Sequence, residues 1–284
     1  CHNIGGMDTR VTMAQPLIVH AKKQLPGVVA TIPPHMLSAE ERKKYPEFET
    51  LVVDVGLPAD EVNDLVRIGD LVTVDVPMVE LLGRKVAGKA MDDRACVAII
   101  TTCLQQLQQM QHSWDVYATA TVQEEVGLRG ATTAAHHIKP DVAIALDVGF
   151  AEQKGDNGGH VGKMGDGPLI GIGPKFHPKL YDKIREVAKY YDIKLQTEAI
   201  GGRSGTDAWA MQVSRDGVPT ALLSIALRNM HSPVETLDLK DIERAGRLLA
   251  QFIATLDDEF LGKIDLTAKE DEKSDDNNDT NGDA

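Results

Sequence analysis

The stretch Val116-Tyr117-Ala118-Thr119-Ala120-Thr121-Val122-Gln123-Glu124-Glu125 decides how this chain is read. Its first seven residues have the β-branched and apolar character of a strand, and it ends in two adjacent carboxylates. The glycine turn Val126-Gly127-Leu128-Arg129-Gly130 then opens a helical pattern. Strand, tight turn and helix in succession form the repeating unit of an α/β fold. Two like charges crowded at the end of a mid-sheet strand repel one another unless cations or solvent compensate. The pair therefore points to something positive close by.

Other positions follow the same logic. The apolar run Ala143-Ile144-Ala145-Leu146 ends in Asp147, and Ala221-Leu222-Leu223-Ser224-Ile225-Ala226-Leu227 is followed closely by His231. Asp92 lies in Met91-Asp92-Asp93-Arg94, at the start of a helical pattern through Ala95-Cys96-Val97-Ala98-Ile99-Ile100. In open α/β sheets the ligand crevice lies outside the carboxyl ends of the strands, so residues far apart in sequence converge there. Carboxylates with an imidazole are the ligands of a hydrolytic zinc, cobalt or manganese site. Singly, each has a bland reading: Asp92 and Asp93 as acids of a helix N-terminus, Glu124 and Glu125 as solvated turn residues, Asp147 as a cap, His231 as a structural histidine. Four such coincidences of one ligand type favour a shared site.

From Arg10 to about Leu82 the chain has short apolar runs broken by glycine and proline, such as Pro16–His20, Leu51–Val55 and Leu71–Val76, the pattern of a small β-barrel or sandwich. One short helix is expected over Ser38–Tyr45, where Ser38 can cap and Glu40 and Glu41 suit the first turn. From about Gly83 strands alternate with helices, which predicts a mainly parallel sheet sandwiched by helices. The best helical patterns are Arg94–Met110, His177–Asp192, Asp207–Arg215 and Leu239–Leu256. The loop Gly201-Gly202-Arg203-Ser204-Gly205-Thr206-Asp207 has glycines but no following Lys-Ser or Lys-Thr, which argues against a phosphate cradle; Asp207 can cap its helix.

The 284 residues carry 43 acidic and 30 basic side chains, a net charge of −13 that disfavours a nucleic-acid role. Part of that acidity is local, since Lys269–Ala284 holds seven acids against two lysines and reads as a disordered tail. The cysteines Cys1, Cys96 and Cys103 make neither a disulfide framework nor a metal knuckle; Cys96 and Cys103 read as small buried side chains of one helical face. Without a membrane-length apolar run or a charged-then-apolar leader, no membrane association and a cytoplasmic location are expected. His20, His35, His136, His137, His160 and His177 receive no site assignment, as none lies in a His-Glu-x-x-His pattern.

The runs MDDRACVA, ATVQEEVGLRGA, ALDVGF, GTDA and MHSPVE, in this order and spacing, resemble the dinuclear-metal aminopeptidases that assemble as tetrahedral particles, the glutamyl and deblocking aminopeptidase group, some of which carry the label endoglucanase. The resemblance extends upstream through PGVVATIPPHMLSAEERKK and downstream to about Phe260. It implies that Asp92 bridges two divalent ions, zinc or cobalt with manganese as a third choice. Asp147 would help hold the first ion, Glu125 and His231 the second, and Glu124 would be the general base. It also implies peptide substrates, a tetrahedral homo-oligomer of twelve subunits, and a zinc-peptidase-like fold with an inserted β-barrel domain. Residues 1–9 would then be a remnant of the catalytic domain, 10–82 the inserted domain, 83–264 the catalytic domain and 265–284 the acidic tail.

One expected ligand has no counterpart. In the family a His-x-Asp motif precedes the region matching Ile4-Gly5-Gly6, whereas here three residues precede Ile4 and His2 lies in no such pattern. An amino-terminally truncated sequence is the expectation. The rival readings are an inactive assembly subunit and a glycoside hydrolase using Glu124 with a second carboxylate; the latter needs two acids held about 5 to 9.5 Å apart across a sugar.

Overall fold

The computed structural model describes residues 1–155 and 161–266. His160 and, apart from its first two residues, the expected acidic tail lie outside the described residues. The strands are β1 (Pro16–His20), β2 (Gln24–Ala30), β3 (Val52–Asp54), β4 (Leu71–Val74), β5 (Val79–Glu80), β6 (Lys85–Gly88), β7 (Ala143–Phe150), β8 (Leu169–Ile172), β9 (Gln196–Ala199), β10 (Thr220–Leu227) and β11 (Glu235–Asp238). The helices are α1 (Thr9–Thr12), α2 (Ala59–Leu65), α3 (Met91–Leu107), α4 (Arg129–Ile138), α5 (Pro178–Tyr190), α6 (Ala208–Met211), α7 (Leu239–Ala254) and α8 (Phe260–Ile264).

Strand β10 organises the α/β part. All eight of its residues are buried, and the period of two along it sorts them to opposite faces. Ala221, Leu223, Ile225 and Leu227 join the main core with Ile99 and Cys103 of α3, Leu180 and Ile184 of α5, and Leu248 and Phe252 of α7. Leu222 faces the other way, against Ala145, Phe176 and Ala208. The sheet order is β7-β10-β8-β9. Two of its three pairings are parallel, β7 with β10 and β8 with β9; β8 runs antiparallel to β10. The result is an α/β fold with a mixed sheet covered by helices on both faces. Strands β7 and β10 run parallel, so their carboxyl ends open on the same side.

The β-rich segment forms a separate sheet in the order β3-β2-β1-β4, wholly antiparallel and built around Leu17, Val29, Leu51 and Val74. No ladder joins β4 to β3 among the described residues, so the sheet is open, and of the barrel or sandwich offered by the sequence pattern the closed barrel does not form here. The expected helix at Ser38–Tyr45 shrinks to a single 3-10 turn, Glu41–Lys43. Its capping box does form: Ser38 N–H donates to Glu41 Oε2 at 2.8 Å and Glu41 N–H to Ser38 Oγ at 3.2 Å. Pro46 follows Tyr45 and disfavours helical backbone at the preceding residue, so the turn does not propagate.

The run Val116–Val122 departs most from expectation. Its residues pair with no strand among the described residues, β7 stands at the sheet edge, and Val116, Tyr117 and Val122 are 36, 70 and 68% exposed. Apolar content marks a segment able to pair, but a ladder needs a partner, and none lies beside it. The expected Asp207–Arg215 helix also stops early, at Met211: Ser214 N–H and Gly217 N–H turn the chain onto Met211 O and Ser214 O, and Arg215 takes a positive φ of 55°.

Candidate active site

Asp92, Glu125 and His231 meet at the mouth of the sheet. Each offers one ligand atom, and these atoms lie within 4.8 Å of one another. His231 Nε2 is 3.3 Å from Asp92 Oδ2 and 3.6 Å from Glu125 Oε2. With Glu124 and Asp147 they line one cavity of about 380 Å³. All five residues singled out from the sequence are therefore brought to one place.

Local structure explains each position. Asp92 belongs to the first turn of α3 but has φ −79° and ψ 103°, outside helical geometry, so its carboxylate is free of the helix; the Asp92–Asp93 peptide is cis. The helix-acid reading fits its neighbour instead, since Asp93 Oδ1 accepts the N–H of Cys96 at 3.1 Å. Asp147 sits inside β7, opposite Ser224 of β10, rather than at the strand end expected from the sequence. Its Oδ1 accepts the Val148 N–H at 2.7 Å. His231 follows β10 by four residues in a turn, with φ 60°.

The glutamate pair is held by the turn behind it. Gly127 and Leu128 N–H both reach Glu124 O at 3.0 Å, and Gly130 N–H reaches Val122 O at 2.9 Å. A Cβ at Gly130 would lie 2.4 Å from Val122 O and 2.5 Å from Val122 N, so the close return of the chain requires glycine there.

Electrostatically the cavity is short of positive charge. Burial, followed by the charges of Glu125 and Glu235, pushes Asp92 up to about 6. Burial pushes Asp93 and Glu124 up to about 7, with Glu125, Asp207 and Asp92 adding to the effect on Glu124. Asp147 is pushed well above the ordinary range by burial and then by Asp93. Buried carboxylates that repel one another in this way are stabilised by a cation. The donor set of two carboxylates and an imidazole suits a divalent transition-metal ion.

Further residues join the site: the Gly-Thr-Asp segment belongs to the GTDA run, whereas Glu198 and Gly6 carry no such signal in the sequence. Glu198 of β9 lines the cavity, hydrogen-bonded by Ser224 and shifted upward by burial. The loop Arg203–Thr206 forms part of the wall. Asp207, expected to cap α6, makes no capping bond; its Oδ2 accepts Thr121 Oγ1–H. Gly6 packs so close that a Cβ there would stand 2.6 Å from His231 Nδ1. Arg228, three residues before His231, turns away: its Nε–H donates to Glu152 O, and it lines another cavity with Lys85, Lys163, Asp166 and Asp238. That cavity, about 550 Å³, holds none of the five site residues, and its Lys85 and Lys163 are paired with Asp238 and Glu152.

Known proteins share this arrangement of chain. The sequence pattern of the M42 glutamyl aminopeptidase family matches residues 1–248. The lysyl aminopeptidase of Pyrococcus furiosus is 38% identical over 257 residues, covering 89% of this chain and 74% of the relative. Among solved structures, a TET aminopeptidase from a marine sediment archaeon of the Thaumarchaeota superposes with a TM-score of 0.87 at 34% identity, over 93% of this chain and 77% of that one. The Pyrococcus horikoshii TET1 peptidase, which can assemble into a tetrahedron or a large octahedral shell, gives 0.78 at 32% identity, over 90% and 76%. With a site of metal-ligand type at the mouth of this sheet and the family pattern running through most of its length, the chain belongs to the M42 glutamyl aminopeptidase family and is a metal-dependent aminopeptidase.

Proposed function

We propose that this chain removes amino-terminal residues from peptides with two divalent cations, zinc or cobalt before manganese, and with Glu124 as general base. Asp92 would lie between the cations, Asp147 would hold the first, and Glu125 and His231 the second. The observation that carries the reading is the convergence of Asp92, Glu125 and His231 within 4.8 Å in a cavity that Glu124 and Asp147 also line. One three-ligand group, that of the second cation, is assembled among the described residues; the first cation would rest on Asp92 and Asp147, which line the same cavity.

Cations bound there supply Lewis acidity, acidifying a water and polarising the scissile carbonyl. The chain's own contribution is proton handling and placement. Glu124 lines the cavity beside the ligand group, where it would take a proton from the attacking water and return it to the departing amine. In the metal-free chain burial and the neighbouring acids hold that carboxylate up at about 7, and bound cations would lower it toward the proton-accepting form.

The setting we propose is a cytoplasmic homo-oligomer, in keeping with the TET assemblies of similar proteins. Residues 10–82 would be an inserted domain and 83–264 the catalytic domain. Glycoside hydrolysis fits poorly, because Glu124 and Glu125 are sequence neighbours beside a histidine rather than two acids facing across a sugar.

The test is metal content of the purified chain by mass spectrometry, together with cleavage of aminoacyl-anilides with and without added cobalt or zinc. About two metals per chain with chelator-sensitive cleavage are expected. A chain that takes up no metal and cleaves nothing would overturn the proposal.

A further inference from the structure

Glu235 is a buried acid that the proposed chemistry leaves unused. It is 2% exposed and opens β11, opposite Gly88 of β6. Its Oε2 accepts the backbone N–H of Met91 at 2.7 Å and of Asp92 at 3.1 Å. Its Oε1 accepts the backbone N–H of His231 at 2.8 Å. Both oxygens are thus turned to the two segments that carry Asp92 and His231, and Glu235 is not among the three residues whose ligand atoms converge.

Neither segment is held by regular structure at that point. Ala90 and His231 have positive φ, 51° and 60°, and Asp92 is non-helical within α3. Such backbone persists only where its surroundings over-determine it. A carboxylate suits the task because it has two oxygens and no hydrogen to donate, so it can accept all three N–H groups. A glutamine would bring an NH₂ against at least one N–H donor.

We propose that Glu235 is the positioning residue of this metal site: by gripping the backbones of Asp92 and His231 together, it sets the spacing of their ligand atoms without touching ion or substrate. The inference rests on the reading of Asp92 and His231 as ligands given above. Changing such an outer partner lowers metal affinity about 10- to 100-fold in other metal sites. The same range is expected for Glu235→Gln.

The experiment measures cobalt affinity of the full chain by competition with a chromophoric chelator, and records the visible spectrum of the cobalt-loaded protein. Asp241→Asn is the control: Asp241 likewise buries its carboxylate on backbone N–H groups, those of Gly165 and Gly167 at 2.6 and 2.9 Å, but outside the site cavity. Both variants should melt at lower temperature, whereas Glu235→Gln alone should lose cobalt affinity and alter the spectrum. Equal affinity and an unchanged spectrum in Glu235→Gln overturn the inference while leaving the metal site standing. No cobalt uptake by the unsubstituted chain overturns both. Should Glu235→Gln fail to fold, amide hydrogen exchange on the unsubstituted metal-free chain decides: slow exchange at Met91, Asp92 and His231 supports the grip, and exchange at the rate of free amides overturns it.

Discussion

Thr121 Oγ1–H donates to Asp207 Oδ2 at 2.6 Å, and this one bond ties the segment leading into Glu124 to the residue that opens α6. Asp207 Oδ1 is buried with no partner among the described residues, and the charge of Asp207 is one of those that raise Glu124. Thr121→Val strips the remaining donor from a buried carboxylate. A stability loss of about 1 to 3 kcal/mol is expected in urea titrations. Turnover should fall more than KM rises, because the bond steadies the base rather than the substrate. Unchanged turnover would show that the segment holds Glu124 by other means.

Glu124→Gln keeps the shape of the side chain and removes its capacity to take a proton. Metal content should match that of the unsubstituted chain while kcat drops about 100-fold or more. Loss of metal in parallel with activity would mean that Glu124 is a ligand and that the base lies elsewhere.

Gly6→Ala places a methyl 2.6 Å from His231 Nδ1, closer than side chains approach one another. His231 must then shift its ring. Cobalt affinity is expected to fall about tenfold or more, as for a change in the surroundings of a ligand, with little change in the melting temperature of the metal-free chain. An unaltered affinity would show that the start of the chain can move aside freely.

Stability of the metal-free chain should fall as pH rises from 5 to 8. Asp92 titrates at about 6 in the fold and Asp93 and Glu124 at about 7, all above their ordinary values near 4. The folded state therefore binds these protons more tightly than the unfolded state. The stability they confer is complete below about pH 4 and is lost as pH passes 6 to 7. Exposed acids whose values are lowered, such as Asp8 and Asp257, titrate below this window and do not obscure it. Urea midpoints of chelated protein across the range measure the slope, and saturating zinc should flatten or invert it. A flat profile without metal would mean that solvent relieves the crowding.

Much of this molecule is legible in its sequence because the signals are local and periodic. Helix α3 buries Ala95, Ile99, Cys103 and Leu107, and their spacing of four is plain in the order of the residues alone. The carboxylates and the histidine are likewise marked by their places beside apolar runs. What stays hidden depends on partners. Val116–Val122 has strand composition, but composition does not say which chain lies alongside. Glu235 stands within the MHSPVE run, yet its role is defined by N–H groups of Met91 and Asp92 about 140 residues earlier, which no spacing rule connects. Glu198 reaches the cavity only because β9 joins the sheet beside β8. Gly6 gives no sign of its contact with His231, since the constraint is an absence of atoms.

The pairing of Glu235 with Gly88 across β11 and β6 bears on folding as well as on the site. The two strands are separated by most of the α/β part, so the loop they close forms only when the chain between them has taken its native path. A chain without that ladder lacks the grip on Asp92 and His231, and offers an ion only scattered carboxylates and imidazoles. The ion then binds the native state almost alone, and by mass action it adds about 2.7 kcal/mol to global stability at 100 times its dissociation constant. Metal supply would thus set how long the folded chain survives heat as well as how fast it works.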